Sequence, residues 1–278
     1  MTLIEYDRIC VNTVMVEKSH DRCLAAQRWE RLRALLRQRR VVRVDDLCKE
    51  LGASPATIRR DLARLERLGE VQRVHGGAVR IESQIEEPLF DDKASVNRAV
   101  KQQIARAALG YIEKGETIYL DGGSTVLELA RQLREWFNIT VITNSLRAAL
   151  ELASQGPRLI LVGGELRRLS QAIVGPLSQH VLSQLNVDKA FMGTFGMTKD
   201  GLSTTDPDEA FTKQLVMTRA RRVILLADSS KLGQIAIAHS GSFEQVDVLI
   251  SDDALDKDFV RELVKKGVEV KLVKSNQR

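Results

Sequence analysis

From Thr117 onward the chain alternates short β-branched runs with helical segments, and this alternation restricts its fold more than any other feature. Residues 117–120, 139–142, 158–162, 189–192, 223–227, 246–250 and 268–273 are the runs. Helical spacing of apolar residues lies between most of them, over 126–134, 146–153, 177–185, 207–219 and 258–266. Strands that are apolar throughout are buried on both faces, and an intervening helix returns each one parallel to the last. The expected fold class is therefore α/β, built on a largely parallel sheet.

Ligands of such sheets bind beyond the carboxyl ends of the strands, and six polar loops fall at run ends here. Asp121-Gly122-Gly123-Ser124-Thr125 leads straight into a helix, where glycines, hydroxyls and free N–H groups cradle an anion. Thr143-Asn144-Ser145, Gly163-Gly164-Glu165, Gly193-Thr194-Phe195-Gly196, Ser203-Thr204-Thr205-Asp206 and Asp228-Ser229-Ser230-Lys231 follow the later runs. Glu209 and Lys213 share one helix face at i, i+4. Any one such loop is more often a turn with a helix cap; six in register point to a crevice for a polyol or a phosphate. Lys231 either pairs with an anionic ligand or makes a structural pair with Asp228. Asp121 either holds a sugar hydroxyl or caps its loop. The candidate ligand set is Asp121, Gly123, Ser124, Thr125, Thr143, Asn144, Gly163, Gly164, Gly193, Asp206, Glu209, Lys213, Asp228 and Lys231. His180 and His239 have no partner pattern and read as surface residues.

The N-terminal part differs in charge. The chain carries a net charge of +5, yet residues 26–80 hold fourteen Lys or Arg against seven acids, which leaves the remainder slightly negative. A basic module on an acidic body implies a polyanionic partner for that module alone. Residues 27–39 read as a helix with Trp29, Leu32, Leu35 and Leu36 inward, and residues 45–51 as a second, with Leu47 and Leu51 inward. Ser54 as N-cap and Pro55 at the first helical position open a third helix, which Gly69 ends. Ile58, Leu62 and Leu65 form its apolar stripe; Thr57, Arg59, Arg60, Arg64 and Arg67 occupy the other face. Two short β runs flanking His75-Gly76-Gly77 make a basic hairpin. Helix, turn, helix and wing fit a DNA groove. Ser54, Thr57 and Arg59 are the candidates for base edges, and Arg60, Arg64, Arg73 and His75 for phosphates.

The domain expectation is an extension over 1–24, a winged helix-turn-helix over 25–80 (helix-turn-helix about 42–61, wing 71–80), a polar linker over 81–92 and an effector-sensing α/β domain over 93–278. Three cysteines, Cys10, Cys23 and Cys48, with no CxxC pair, argue against disulfides and a zinc site, so no metal or cofactor is expected. No apolar run reaches membrane-spanning length and no secretory leader is evident, so the cytoplasm is the expected location.

Two motif sets, in order, carry a resemblance. Thr57-Ile58-Arg59-Arg60-Asp61-Leu62 followed by Arg73-Val74-His75-Gly76-Gly77-Ala78, together with the loops at 121–125, 143–145, 163–164, 193–196 and 228–231, resembles the DeoR-family (GlpR-like) bacterial transcription regulators. Ser124 stands where the family often has Thr, and the hydroxyl is kept. The resemblance implies a sensor domain similar to the sugar-phosphate isomerase fold of ribose-5-phosphate isomerase. It further implies a repressor of a carbohydrate-catabolism operon that binds operator DNA, is released by a phosphorylated sugar or related metabolite, and forms a homo-oligomer, dimer or tetramer. A regulator is not an enzyme. The alternative is a sugar-phosphate isomerase with a DNA-binding appendage, for which Asp121, Glu209 and Lys231 would supply acid–base chemistry.

Overall fold

A computed structural model describes residues 28–275, apart from 30, 33–34, 37–38, 40, 68–70, 75 and 81–86. The extension at 1–24, Cys10, Cys23, Gly69 and His75 lie outside the described residues. The chain divides into two units, Met1–Gln84 and Ile85–Arg278.

In the first unit, residues 28, 29, 31, 32, 35 and 36 are helical. Strand β1 (Val41–Arg43) follows, then α1 (Val44–Leu51), α2 (Pro55–Arg67), β2 (Val71–Val74) and β3 (Gly77–Arg80). The stripes meet as their spacing requires: Leu32, Leu36, Val42, Val44, Leu47, Ile58, Leu62 and Leu65 are buried together with Val71 and Ala78. Leu35, Leu51, Cys48 and Ala53 pack against this core from its edge. Gly52, in the left-handed region at φ 62°, closes α1 and makes the turn into α2. The segment between the first two expected helices is mostly strand: β1 pairs antiparallel with β3, making a three-stranded sheet of order β1-β3-β2. This pairing explains Gly77. A Cβ there would lie 2.1 Å from the Val42 carbonyl oxygen, so only glycine permits the close approach.

The second unit begins inside the stretch that composition marks as linker. Helix α3 (Phe90–Ser95) starts before the expected boundary, and a break at Val96–Asn97 separates it from α4 (Arg98–Leu109). Asn97 sits at φ 52°, in the left-handed region, which a continuous helix through this stretch would not accommodate. Then come β4 (Thr117–Leu120), α5 (Ser124–Gln132), β5 (Thr140–Thr143), α6 (Leu146–Leu152), β6 (Arg158–Leu161), β7 (Glu165–Arg167), β8 (Ala172–Val174), α7 (Pro176–Ser183), β9 (Val187–Met192), β10 (Gly196–Thr198), β11 (Gly201–Thr204), α8 (Pro207–Arg219), β12 (Ala220–Leu226), β13 (Ala238–Gly241), β14 (Val248–Asp252), α9 (Lys257–Lys265) and β15 (Glu269–Val273).

Seven of these strands form one sheet of order β15-β14-β12-β9-β4-β5-β6, in which every pairing is parallel. Alternate residues feed two cores. Ile118, Leu120, Phe191, Ile224 and Leu226 pack with α4, α5 and α6 on one face. Tyr119, Ala190, Met192, Val223 and Leu225 pack with residues of α7, α8 and α9 on the other. The order runs one way from β4 to β6 and the other way from β9 to β15, so the direction reverses between β4 and β9.

Two small sheets go beyond the sequence expectation: the β7–β8 hairpin and the antiparallel set β10-β11-β13. The second requires a correction. The loop Ser203–Asp206 does not follow a strand of the parallel sheet; it leaves β11. Five of the six polar loops, not six, stand in register at the sheet's carboxyl end. Among the described residues, no helix is long and apolar enough to cross a membrane.

Candidate functional site

Two surfaces carry polar chemistry, one in each unit. On the first, α2 presents Arg59, Arg60 and Arg64 to solvent while its opposite face is core. Ser54 caps the helix: the Thr57 N–H donates to the Ser54 Oγ at 3.3 Å, and the two hydroxyls lie 2.9 Å apart. The first-turn hydroxyl pair is thus fixed at the helix N-terminus. Asp61, buried in the same helix, accepts from Arg28 Nε and Trp29 Nε1, each at 2.7 Å, and so anchors α2 to the preceding helical segment. The Arg64 guanidinium stacks over the Trp29 ring at 4.1 Å. Glu66 holds the hairpin, accepting the Arg73 N–H at 3.0 Å.

On the second, a crevice opens at the reversal between β4 and β9, where open α/β sheets take their ligands. Asp121, Gly123, Ser124, Thr125, Asn144, Gly193, Glu209, Lys213 and Lys231, all expected from sequence, line it together. Asp121 spans the reversal: its Oδ2 accepts the Gly193 N–H at 2.9 Å and the Lys213 ammonium. Lys213 also donates to the Gly193 carbonyl at 3.0 Å. Glu209 instead faces Thr204 at 3.0 Å and Arg167 at 3.3 Å, so the expected i, i+4 partners spend their charges on different groups. Gly123 caps α5 at φ 144°, with no side-chain cap hydrogen bond, so the first turn of the helix faces the crevice with its donors uncapped by any side chain.

Lys231 is the distinctive cation. Among the described residues it has no ion pair with a carboxylate; its ammonium lies 5.7 Å from the centre of the Phe195 ring. Desolvation holds it below its ordinary pKa; Lys93 adds to this, while Asp228 and Glu87 oppose it. Two buried polar atoms in the lining also lack partners. The Asn144 Nδ2 donates to the Ile173 carbonyl at 3.0 Å, but its Oδ1 and the Ser170 Oγ have none. Buried polar groups are normally satisfied, so these are open positions for hydroxyls.

Five candidates do not line the crevice. Thr143 is fully buried and donates to the Leu120 carbonyl at 2.6 Å, a bond that ties β5 to β4. A Cβ on Gly164, at φ 152°, would meet the Val174 carbonyl oxygen at 2.8 Å, so this glycine serves the β7–β8 hairpin; Gly163 lies beside it on the surface. Asp206 caps α8 and pairs with Arg167 at 3.0 Å. Asp228 caps the short 3-10 turn Ser229–Lys231, accepting from Ser230 rather than pairing with Lys231. His180 and His239 are exposed.

The lining also contains Thr194, Phe195 and Thr204 from the expected loops, and Glu87, Lys93, Ser170 and Ala172, which no spacing announces. Glu87 is buried between Lys93 at 2.5 Å and Arg167 at 2.6 Å. Burial pushes its carboxyl up, but the Lys93 charge and hydrogen bonds from Lys93, Thr205 and Arg167 outweigh this and hold it below its ordinary value. Among the described residues no His, Cys, Asp or Glu cluster is arranged to hold a metal ion.

A basic winged helix-turn-helix followed by an α/β unit with a polar crevice at its switch point defines a one-chain regulator that reads DNA and senses a ligand. Residues 28–84 match the DeoR-like helix-turn-helix domain and residues 96–253 the DeoR C terminal sensor domain. The chain belongs to the DeoR family of DNA-binding transcription regulators. It is 38% identical to the HTH-type transcriptional regulator GlpR of Haloferax volcanii, over 89% of this chain and 97% of that one. It is 35% identical to the putative aga operon transcriptional repressor of Escherichia coli O157:H7, over 89% and 94%. Among solved structures, ribose 5-phosphate isomerase A of Methanocaldococcus jannaschii aligns at 22% identity and TM-score 0.36, over 49% of this chain and 55% of that one.

Proposed function

We propose that this regulator represses a carbohydrate-catabolism operon and leaves its operator when a phosphorylated sugar or related metabolite fills the crevice. The observation that carries the reading is Lys231: a desolvated ammonium with no carboxylate partner, lining the same crevice as the side-chain-uncapped N-terminus of α5. A phosphate there neutralises the lysine and accepts from the helix donors. The unpartnered Asn144 Oδ1 and Ser170 Oγ suit the hydroxyls of the same ligand. A relative named as a lactose phosphotransferase system repressor supports regulation of sugar use, and one named as a putative aga operon repressor supports repression of an operon. Ser54, Thr57 and Arg59 read bases in this account; Arg60, Arg64, Arg73 and His75 hold phosphates of the DNA. The protein works as a homo-oligomer in the cytoplasm, where operator and metabolite meet. In this reading it is not an enzyme: the described carboxylates that line the crevice are all paired, Asp121 with Lys213, Glu209 with Arg167, and Glu87 with Lys93 and Arg167.

A thermal-shift screen of sugar phosphates on the full-length protein, followed by footprinting on DNA upstream of the neighbouring genes, tests this. One sugar phosphate should raise the melting temperature and release the footprint. A footprint that no phosphorylated sugar alters overturns the sensing half. Aldose–ketose exchange by the full chain overturns the non-enzymatic reading.

A further inference from the structure

Glu87 stands three residues beyond the division between the units, yet it lines the crevice. Its two carboxylate oxygens are split between two cations, Oε1 on Lys93 and Oε2 on Arg167, and Thr205 donates to Oε2 as well. Charge-assisted bonds from two cations and a hydroxyl are the ones a phosphate receives in a protein site. Lys93 and Lys231 line the same crevice, and each ammonium disfavours the other's charge; Glu87 partly offsets this at Lys231. The carboxylate is therefore, with Asp228, one of two counter-ions that make these cations compatible in one pocket.

The arrangement around Arg167 makes that carboxylate replaceable. Arg167 pairs with three acids: Glu87, Asp206 at 3.0 Å and Glu209 at 3.3 Å. Three negative charges around one guanidinium repel one another, and Arg167 keeps two partners when one leaves. Departure of Glu87 leaves Arg167 paired and strands only Lys93, which an incoming anion takes over. Removing a partner is costly when it leaves a buried charge alone, and here it does not.

Resting on the phosphorylated-effector reading above, we propose that Glu87 is an internal stand-in for the effector's anionic group: it occupies Lys93 in the empty crevice, and the effector's phosphate displaces it. The consequence is directional. Glu87 is followed at once by Pro88 and by α3 from Phe90, and the chain behind it leads to the DNA-reading unit. Effector binding then frees the segment that precedes α3 from its anchor. A ligand shifts an equilibrium only by its differential interaction with the two states, and competition for one ammonium is such a difference.

The test uses full-length protein and inorganic phosphate as probe. Titration calorimetry on wild type, Glu87→Gln, Glu87→Ala and Lys231→Ala is combined with amide exchange of residues 89–95. Removing the competing charge should tighten phosphate binding about tenfold in both Glu87 variants, which corresponds to about 1.4 kcal/mol. Phosphate should speed exchange of residues 89–95 in the wild type. In the Glu87 variants that exchange should be fast already and indifferent to phosphate. Phosphate binding by the variants alone, with none detectable in wild type, also supports the competition. Equal or weaker binding by both Glu87 variants, with wild-type binding abolished by Lys231→Ala, overturns the stand-in role and leaves the anion site itself intact. Absence of phosphate binding in wild type and both Glu87 variants overturns the two together.

Discussion

Gly193 donates its backbone N–H to the Asp121 carboxylate at 2.9 Å, and that bond bridges the two strands between which the sheet reverses direction. The same carboxylate holds the buried Lys213 ammonium, so one side chain fixes both loops of the crevice. Asp121→Ala should therefore cost about 3–5 kcal/mol, because it leaves Lys213 buried with only a carbonyl. Urea unfolding followed by Trp136 fluorescence measures this. A loss below about 1 kcal/mol means that the pair is dispensable.

Lys231→Ala should leave operator binding unchanged and abolish the response to the effector. Loss of one charge-assisted bond to a phosphate is worth about 1.5–3 kcal/mol, roughly tenfold to a hundredfold in affinity. Thermal shift with the active sugar phosphate and a footprint in its presence give the two readouts. Normal release by the variant refutes the role.

The parallel sheet, the recognition helix and most of the crevice are legible in the sequence because each has a local signal. Residues 223–227 are apolar without interruption, Ser54-Pro55 starts a helix, and Asp121 to Thr125 combine a strand end with a helix start. What escapes has no local signal. Glu87 lies in an aperiodic stretch before Pro88, and only the fold brings it to Lys93 and Arg167. Strands β7, β8, β10 and β13 are three or four residues long, too short for a period to declare itself. Gly164 looks like part of a ligand loop from sequence because the same residue type serves a hairpin that only close packing reveals.

Asp61→Ala should weaken the DNA-reading unit by about 2–3 kcal/mol. It removes the acceptor shared by Arg28 and Trp29 and leaves both donors unmatched. The Trp29 emission should shift as the ring loses its bond, and specific DNA binding should fall with the stability of α2. Unchanged unfolding with lost DNA binding would instead make Asp61 a direct DNA-facing residue.

Arg60→Ala should weaken binding to every DNA sequence alike and reduce the salt slope by about one unit. Arg60 is exposed on α2 and has no described ion pair. Fluorescence anisotropy on two unrelated duplexes over a salt series checks both effects. A change confined to one sequence would place Arg60 on a base edge.

Lys101 gives the chain a pH dependence. Desolvation lowers its ammonium from 10.5 to about 8, with Asp228 and Glu128 opposing and Lys231 and Lys93 adding. Between those values the unfolded chain binds the extra proton and the folded chain does not, so stability rises with pH across that window. The gain is at most about 3 kcal/mol, from about 1.4 kcal/mol per pH unit. Urea midpoints at about pH 7.5 and about pH 9.5 should differ in the wild type and differ less in Lys101→Met, where the lowered Lys231 still contributes. A wild-type midpoint that falls over this range reverses the sign and rejects the argument.

The strand order has a consequence for how the protein is made. Among the described residues, all strand pairing of the DNA-reading unit lies within residues 41–80, whereas β4 has β9 as a neighbour and β9 has β12. Chains leave the ribosome N-terminus first, and parallel pairs distant in sequence form late. The reader is thus complete while the centre of the sensor's sheet is still being translated. A message truncated before Val187 would yield a DNA-binding fragment without β9, the strand on which the crevice depends, and such a fragment would occupy the operator deaf to any metabolite.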